Sequence, residues 1–472
     1  MTEQFLKLTA HPKMIACKWF NPIDLAQWTQ GTWTHLPTGT LQNFCFDTRL
    51  LKANECFLAL KTDCNDGHAY VEQAQQLGAV AAIVERKVSC SIPQLIVSNT
   101  LQALQQIAFR YRNTLSTEIF AITGSCGKTT AKELLALLLN HEKTFKTPDN
   151  FNNQLGVPLS LTQIDPNQHA QAVIEIGIGK PHEMETLAKM VCPDTSILLN
   201  VGPAHIGNFN DDIAQLVKEK MTLFQFSKNN IFLPDALLKY LMPPHDCQVY
   251  AITQATPQHI SNKSPIHHLC YTAQAMPYGW QVQLYDDTCH HIFTLPFRVG
   301  TGQLYTFVSM LHAAIKCKIP ADILQQRLNL WTPVRQRGEW IHIDHKHYFV
   351  DCYNANPLSF ADSLQHFQQE VSSHIPRCYI LGSMAELGAK SPFYHRQIAQ
   401  SIQHTSQDIF VLIGDFTDDI KTGLLAQNVQ NTHIKVFKTT REVKAFLLTL
   451  PCAYFFLKGS HRYHLETCIP TD

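Results

Sequence analysis

The stretch EIFAITGSCGKTTAKELLALLLNHE, residues 118–142, is the feature that most narrows what this chain can fold into. An apolar run enters a glycine-bearing turn and leaves as an amphipathic run that opens on Lys128-Thr129-Thr130. A strand that passes through a tight turn into a helix lays the helix back over a sheet. Repeated units of this kind build a parallel sheet with helices on its faces. The backbone N–H groups of the turn and of the helix start form a ready anion seat. Lys128 adds a point charge, and Thr129 a hydroxyl suited to Mg2+. The general phosphate loop, G-x-x-x-x-G-K-[ST], has a glycine five residues before its second one, and here that position is Ile122. Residues Thr123, Gly124, Ser125, Cys126, Gly127, Lys128, Thr129 and Thr130 are therefore either a phosphate loop of narrower spacing or a helix-capping turn with a chance G-K-T.

The same alternation runs through the rest of the chain. ECFLALK (55–61) and VAAIVER (80–86) predict strands, and YVEQAQQLGA (70–79) a helix ended by Gly78, giving a small α/β unit that closes near residue 100. A helix over 101–115 leads into the loop strand. AVIEIG (172–177) and TSILLNVG (195–202) predict further buried strands. The Pro-, His- and Asn-rich segment 243–270 reads as an irregular insertion or a small side sheet. After LWTPVRQRGEW the rhythm restarts, with strands at YFVDCY, CYILGS, IFVLIGD and AYFFLKGS and helices between them. The expected fold is α/β in three domains: a small α/β domain over 1–100, a central P-loop ATPase-like domain with a mostly parallel sheet over 101–332, and a Rossmann-like domain over 333–472.

Composition excludes several classes. Formal net charge is zero and charged residues make up 16%, so no basic field points to nucleic acid or to a membrane surface. The most apolar short run, LLALLL, is far shorter than the roughly 20 residues that span a bilayer. The opening MTEQFLKLTAHPKM has no apolar signal-peptide core, so a cytoplasmic location is expected. Fifteen scattered cysteines without a C-x-x-C pair read as reduced core residues. The histidine clusters HIDHKHY (342–348) and CHH (289–291) lack tetrahedral metal spacing and are expected on solvent-facing strand positions or loops.

Polar groups recur where strands end, the place at which α/β sheets bind ligands. Glu175 interrupts a buried strand, and a buried carboxylate is costly unless paired or bound to a cation. His205 follows the next strand and can reach the same edge, although a loop histidine is more often a hydrogen-bonding residue than a ligand. By composition alone Lys220 is a solvated helix charge. Asp351 ends an apolar strand and opens DCYNANP, a dense set of hydrogen-bonding groups.

These pieces, in this order, resemble the Mur ligases, the ATP-dependent enzymes that add amino acids to the UDP-muramoyl precursor of peptidoglycan. The family's loop, T-G-[ST]-x-G-K-T-T, fits TGSCGKTT without the extra glycine. NFNNQLGVPLSL (150–161), DCYNANPLSF (351–360), LGSMAELGAKSPFYH (381–395), LKGSH (457–461) and the stretch DTRLLKANECFLALKTDCNDGHAYVEQAQQLGAVAAIVER are most similar to the last ligase of that series. The resemblance implies that Lys128 holds the β- and γ-phosphates of ATP and Thr129 one Mg2+. It places Glu175 and His205 at the two metal sites, and makes Lys220 the bearer of a CO2-derived carbamate that helps bind the second Mg2+. Asn152 or Asn153 would lie near the γ-phosphate, with Arg337 and Asp351 reaching ATP from the C-terminal domain. Asn354 and Asn356 would border the pocket for D-alanyl-D-alanine. Thr48 and Arg49, where the family has Ser-Arg, would lie near the uridine of UDP-N-acetylmuramoyl-tripeptide. The implied reaction passes through an acyl phosphate, with the enzyme acting as a monomer.

The chain departs from the family pattern in places. The family's G-x-H-N-x-x-N, whose asparagines lie near the nucleotide base, corresponds to VGTGQLYTFVSMLHAA (299–314), with Tyr305 and Val308 at the asparagine positions. Segment 226–298 lacks the usual N-x-D-D, and His182 replaces a glycine. Ordinary Mg2+ dependence with weakened ATP affinity or relaxed base preference is the expectation. A related ligase such as folylpolyglutamate synthase is the enzymatic alternative, and a scaffold that has lost catalysis is the alternative of another class. The DTR…DGH domain and YNANP oppose the first, and the retained Lys128, Thr129, Glu175, His205, Lys220 and Asp351 oppose the second.

Overall fold

The computed structural model describes residues 20–242, 246–256, 266–286 and 289–470. The opening segment, read above as free of a signal core, lies outside them. The chain divides into two compact units: Met1–Ala121 with Asn140–Ile176 and Glu185–Asp194, and Ile122–Leu139 with Gly177–Met184 and Thr195–Asp472.

The first unit contains a five-stranded sheet in the order Thr32–Trp33, Gln94–Ile96, Ala81–Val84, Cys56–Leu58, Phe44–Cys45. All neighbours are parallel except the edge strand Thr32–Trp33. Every residue of Cys56–Leu58 and Ala81–Val84 is buried, as a strand covered on both faces requires. The helix Val71–Gln76 stops before Gly78, whose φ of +97° favours glycine. Asn99 caps the helix Thr100–Arg112 by accepting from Gln102 N–H. At the far end of that helix, buried Arg112 donates to the Val191 and Cys192 carbonyls and to Asp194. The unit also holds two parallel strands, Thr144–Lys146 and Gln171–Glu175, the second ending on Glu175.

The second unit carries two sheets. In one, Thr195–Leu198, Asn230–Pro234, Gln248–Gln254 and Ile266–Met276 lie side by side and parallel, and Gly279–Tyr285 and His290–Leu295 continue as an antiparallel meander. This corrects the reading of 243–270 as an irregular insertion or a small side sheet. Residues 248–254 form a strand in the body of the sheet, with Val249, Tyr250, Ala251 and Ile252 buried. The Pro, His and Asn density that hid it belongs largely to the flanking positions 243–245 and 257–265, which lie outside the described residues. The helices Lys128–Leu139 and Thr301–Lys316 pack on each other.

The other sheet has the order Glu339–Ile343, Lys346–Asp351, Tyr454–Lys458, Arg377–Gly382, Ile409–Ile413, Ile434–Phe437. Only the first pair is antiparallel. Alternate residues serve opposite faces: Phe349, Tyr379, Leu381, Phe410 and Phe456 join one core cluster, and Val350, Cys378, Ile380, Val411 and Phe455 the other. The helix Thr417–Ala426 and strand Ile434–Phe437 were not anticipated. At the foot of the sheet Arg377 pairs with Asp408 at 2.7 Å, both fully buried. The mixed α/β class with mostly parallel sheets is the one expected. Among the described residues no helix is long and apolar enough to cross a membrane.

Candidate nucleotide and ligase site

The strand Glu118–Thr123 delivers the loop. Asn200, just beyond the strand Thr195–Leu198, holds the loop's shape. Its Oδ1 accepts from Ser125 N–H at 3.1 Å and Cys126 N–H at 3.0 Å, and its Nδ2 donates to the Cys126 carbonyl at 3.2 Å. Ser125 Oγ donates to the Gly202 carbonyl at 2.8 Å and accepts from Gly202 N–H at 2.9 Å. Gly127 sits at φ +80°, a conformation that L side chains rarely adopt. The helix then starts at Lys128 and directs its N-terminus at the loop, with Thr129 and Thr130 buried beside it. Lys128 Nζ donates to the Gly124 carbonyl at 2.9 Å. Burial pushes the Cys126 thiol up to about 12, so it stays protonated and unreactive.

Lys220 is not the solvated charge that composition suggested. The helix Ile213–Met221, capped by Asp212, buries Leu216, Val217, Lys220 and Met221 on one stripe, and the lysine lies in that stripe. Its Nζ donates to the Gly124 carbonyl at 3.3 Å, so two lysines converge on one loop oxygen. Burial, and then the neighbouring charge of Lys128, lower the Lys220 amine to about 7. A single lysine inside an otherwise apolar helical stripe was the signal available in the sequence.

His205 lies in the left-handed region at φ +56° and pairs through Nδ1 with the Glu386 carboxylate. Burial is the main cause of its lowered pKa. The segment around it docks closely on the MAELG segment: a Cβ placed on Gly207 would lie 2.7 Å from Gly388 Cα, and Lys390 Nζ donates to the Asp211 carbonyl at 3.2 Å. Glu386 itself is at φ +61°. His182, which replaces a family glycine, is likewise left-handed at φ +68°.

Asp351 ends its strand opposite Lys458 on the adjoining parallel strand, and Lys458 Nζ donates to it at 2.7 Å. Ser363 Oγ donates to the same carboxylate. The Arg337 guanidinium stacks 4.0 Å from the centre of the Tyr353 ring. Asn354 is exposed, its Oδ1 turned back to Ala355 N–H. Asn356 is buried and engaged: its Oδ1 caps the helix Pro357–Glu370 and its Nδ2 donates to the Ser125 carbonyl at 3.1 Å. On that helix Asp362 accepts from Gly302 N–H at 2.6 Å and Gln303 N–H at 3.2 Å, the first turn of the helix Thr301–Lys316. Asn200, Asp362, Glu386 and Lys458 were not singled out from sequence. Within the helix Thr301–Lys316, Val308 is fully buried, and the Tyr305 hydroxyl is buried without a hydrogen-bond partner among the described residues.

In the first unit, Glu175 is buried and its Oε1 accepts from Asn152 Nδ2 at 2.7 Å. Asn153 spends its Oδ1 on Leu155 and Gly156 N–H, which start the next helix. Of these two asparagines, Asn152 is the one turned to the acid. Thr48 is half-buried and Arg49 exposed; Thr48 Oγ1 donates to Gln73 Oε1 at 3.3 Å and Arg49 pairs with Asp47 at 2.6 Å. Among the described residues no three His, Cys, Asp or Glu side chains are grouped to hold a metal ion. The expected Mg2+ donors fit by their chemistry: a buried carboxylate at Glu175, a hydroxyl at Thr129, and at Lys220 an amine able to shed its proton near neutrality, the form a carbamate requires. The exposed His342 and the half-buried His347 face each other across a hairpin with Nδ1 atoms 2.6 Å apart, a surface arrangement.

The Mur ligase middle domain matches residues 122–266, and the Mur ligase glutamate ligase domain matches 336–453. The UDP-N-acetylmuramoyl-tripeptide–D-alanyl-D-alanine ligase of Haemophilus influenzae is 30% identical over 419 residues, 86% of each chain. The enzyme of the same name from Rickettsia prowazekii is 28% identical over 447 residues, 90% of this chain and 93% of that one. A crystal structure of MurF from Acinetobacter baumannii superposes with a TM-score of 0.81 at 26% identity, over 96% of this chain and 98% of that one. With its loop, buried lysine and both matched domains in place, this chain belongs to the Mur ligase family.

Proposed function

We propose that this chain joins D-alanyl-D-alanine to UDP-N-acetylmuramoyl-tripeptide, with ATP converted to ADP and phosphate, in peptidoglycan precursor synthesis in the cytoplasm. The observation that carries this reading is the convergence of Lys128 and Lys220 on the Gly124 carbonyl of a loop held by Asn200, in a chain similar along most of its length to ligases of that name. The substrate-binding domain would be residues 1–100, the ATP-binding domain 101–332 and the closing Rossmann-like domain 333–472.

The terminal carboxylate of the tripeptide attacks the γ-phosphorus of ATP, giving an acyl phosphate and ADP. The amine of D-alanyl-D-alanine then adds to the acyl carbon, phosphate leaves with its bridging oxygen, and the nitrogen loses its proton. Lys128 neutralises charge on the transferring phosphoryl group, and the loop N–H groups orient it. Thr129, Glu175, His205 and Lys220 would hold Mg2+, which would supply charge stabilisation at the phosphates. Lys220, uncharged in part at neutral pH, reacts with CO2 to give a carbamate and a proton, turning a buried amine into an oxygen donor. Glu386 fixes the orientation of His205 through Nδ1, and Asn152 orients Glu175. Arg337 and Asp351 would contact ATP, Asn354 the dipeptide, and Thr48 with Arg49 the uridine end. Docking of the C-terminal sheet shields the acyl phosphate from water.

The test is phosphate release from ATP by the full chain. It should require UDP-N-acetylmuramoyl-tripeptide and D-alanyl-D-alanine together. Release unaffected by the dipeptide, or no release with both present, would overturn the reading.

A further inference from the structure

The helix Pro357–Glu370 touches the nucleotide site at two separate points. Asn356, the residue before its first turn, uses its two amide atoms for different tasks. Oδ1 accepts from Ser359 N–H at 2.9 Å and caps the helix, while Nδ2 donates to the Ser125 carbonyl at 3.1 Å, inside the phosphate loop. The side chain is buried, and the loop lies 231 residues earlier in the chain. Six residues on, Asp362 clasps the start of the helix Thr301–Lys316 through both carboxylate oxygens. The approach is so close that a Cβ on Gly300 would lie 2.7 Å from Asp362 Oδ1, and one on Gly302 would lie 3.0 Å from it. The next turn of the same helix abuts the loop, because a Cβ on Gly127 would lie 3.1 Å from Thr306 Oγ1. Between the two points, Leu358 packs on Gly202, whose backbone is tied to Ser125 Oγ.

We propose that Asn356 and Asp362 are positioning residues of the nucleotide site, and that Asn356 is not a dipeptide-binding group. Through them the helix Pro357–Glu370 sets the geometry of the phosphate loop and of the neighbouring helix start at once. The loop is held on one side by Asn200, beyond a strand of its own sheet, and on the other by Asn356, the cap of the helix Pro357–Glu370. Loss of either tie loosens nucleotide binding, and the dipeptide site is untouched. The inference rests on the ligase reading only for the dipeptide arm of its test.

Asn356→Ser separates the two tasks of the side chain. Serine is a good helix cap, so the helix keeps its start, but the shorter hydroxyl cannot reach the Ser125 carbonyl. Losing one buried hydrogen bond of this kind is expected to weaken nucleotide binding about three- to tenfold. Affinity is read by titrating the full-length protein with a fluorescent ATP analogue in Mg2+ without either co-substrate, so the result stands even if the dipeptide is not the substrate. In turnover, KM for ATP rises in parallel and KM for D-alanyl-D-alanine stays within about twofold of wild type. Asp362→Asn, which keeps one acceptor of two, shifts the same two quantities in the same direction and serves if the first variant folds poorly. Unchanged nucleotide affinity in both variants overturns the proposal, whatever happens to the dipeptide. So does a rise in dipeptide KM equal to that for ATP, which would indicate general distortion.

Discussion

Replacing Lys220 with Met is expected to stabilise the folded protein while abolishing turnover. Methionine has similar length and fits the stripe formed by Leu216, Val217 and Met221. The buried amine is lowered to about 7, whereas an unfolded chain holds its lysine near 10.4. That difference corresponds to about 5 kcal/mol of destabilisation at neutral pH. The hydrogen bond to the Gly124 carbonyl offsets about 1 kcal/mol of it. Lys220→Met should therefore be more stable than wild type by about 4 kcal/mol near pH 7. The sign of the pH dependence follows from the direction of the shift. Between about pH 7 and about pH 10.4 the unfolded chain carries one proton more than the folded one, so wild-type stability rises with pH. The gap should shrink by about 1.4 kcal/mol per pH unit across that window and stay constant below it. Urea unfolding of both proteins in CO2-free buffer at about pH 7 and about pH 8.5 reads this directly, with an expected narrowing of about 2 kcal/mol. A gap that does not move with pH, or a less stable variant at both pH values, would refute the burial of an uncharged amine at this position.

Asp408→Ala should cost about 3–5 kcal/mol in urea unfolding, because it leaves the Arg377 guanidinium buried without its carboxylate; a loss below about 1 kcal/mol would contradict this. Gly207→Ala drives a methyl to 2.7 Å from Gly388 Cα, so a destabilisation of about 1–3 kcal/mol and reduced turnover are expected in melting and rate measurements, and wild-type values in both would contradict the close docking. With Tyr305 and Val308 in place of asparagines, KM for GTP should lie within about tenfold of that for ATP, and strict adenine specificity would count against the expectation.

The sequence made the repeating strand–turn–helix units legible because their apolar runs are short, β-branched and bounded by glycine or polar residues. Gln248–Gln254 escaped because its turn-rich flanks dominated the local pattern. The strand, glycine turn and helix around Lys128 were readable from the pattern, whereas the spacing left a capping turn open until the family resemblance was weighed. Lys220 was misread from composition, although its place on an apolar helical stripe held the information. Asn356 shows a different limit. Its polar neighbourhood marked a site edge, but its bond to Ser125 joins residues 231 positions apart and leaves no local trace. The same is true of Asn200 and Asp362, whose roles exist only once the strands and helices are assembled.

The central claim, ligation through an acyl phosphate, is tested most directly by following oxygen. UDP-N-acetylmuramoyl-tripeptide carrying 18O in its terminal carboxylate is turned over with ATP and D-alanyl-D-alanine, and both products are weighed by mass spectrometry. One labelled oxygen should appear in phosphate for each amide bond formed, with the other retained in the new carbonyl. Phosphate without label, or labelled phosphate formed with no amide product in the presence of the dipeptide, would contradict the account.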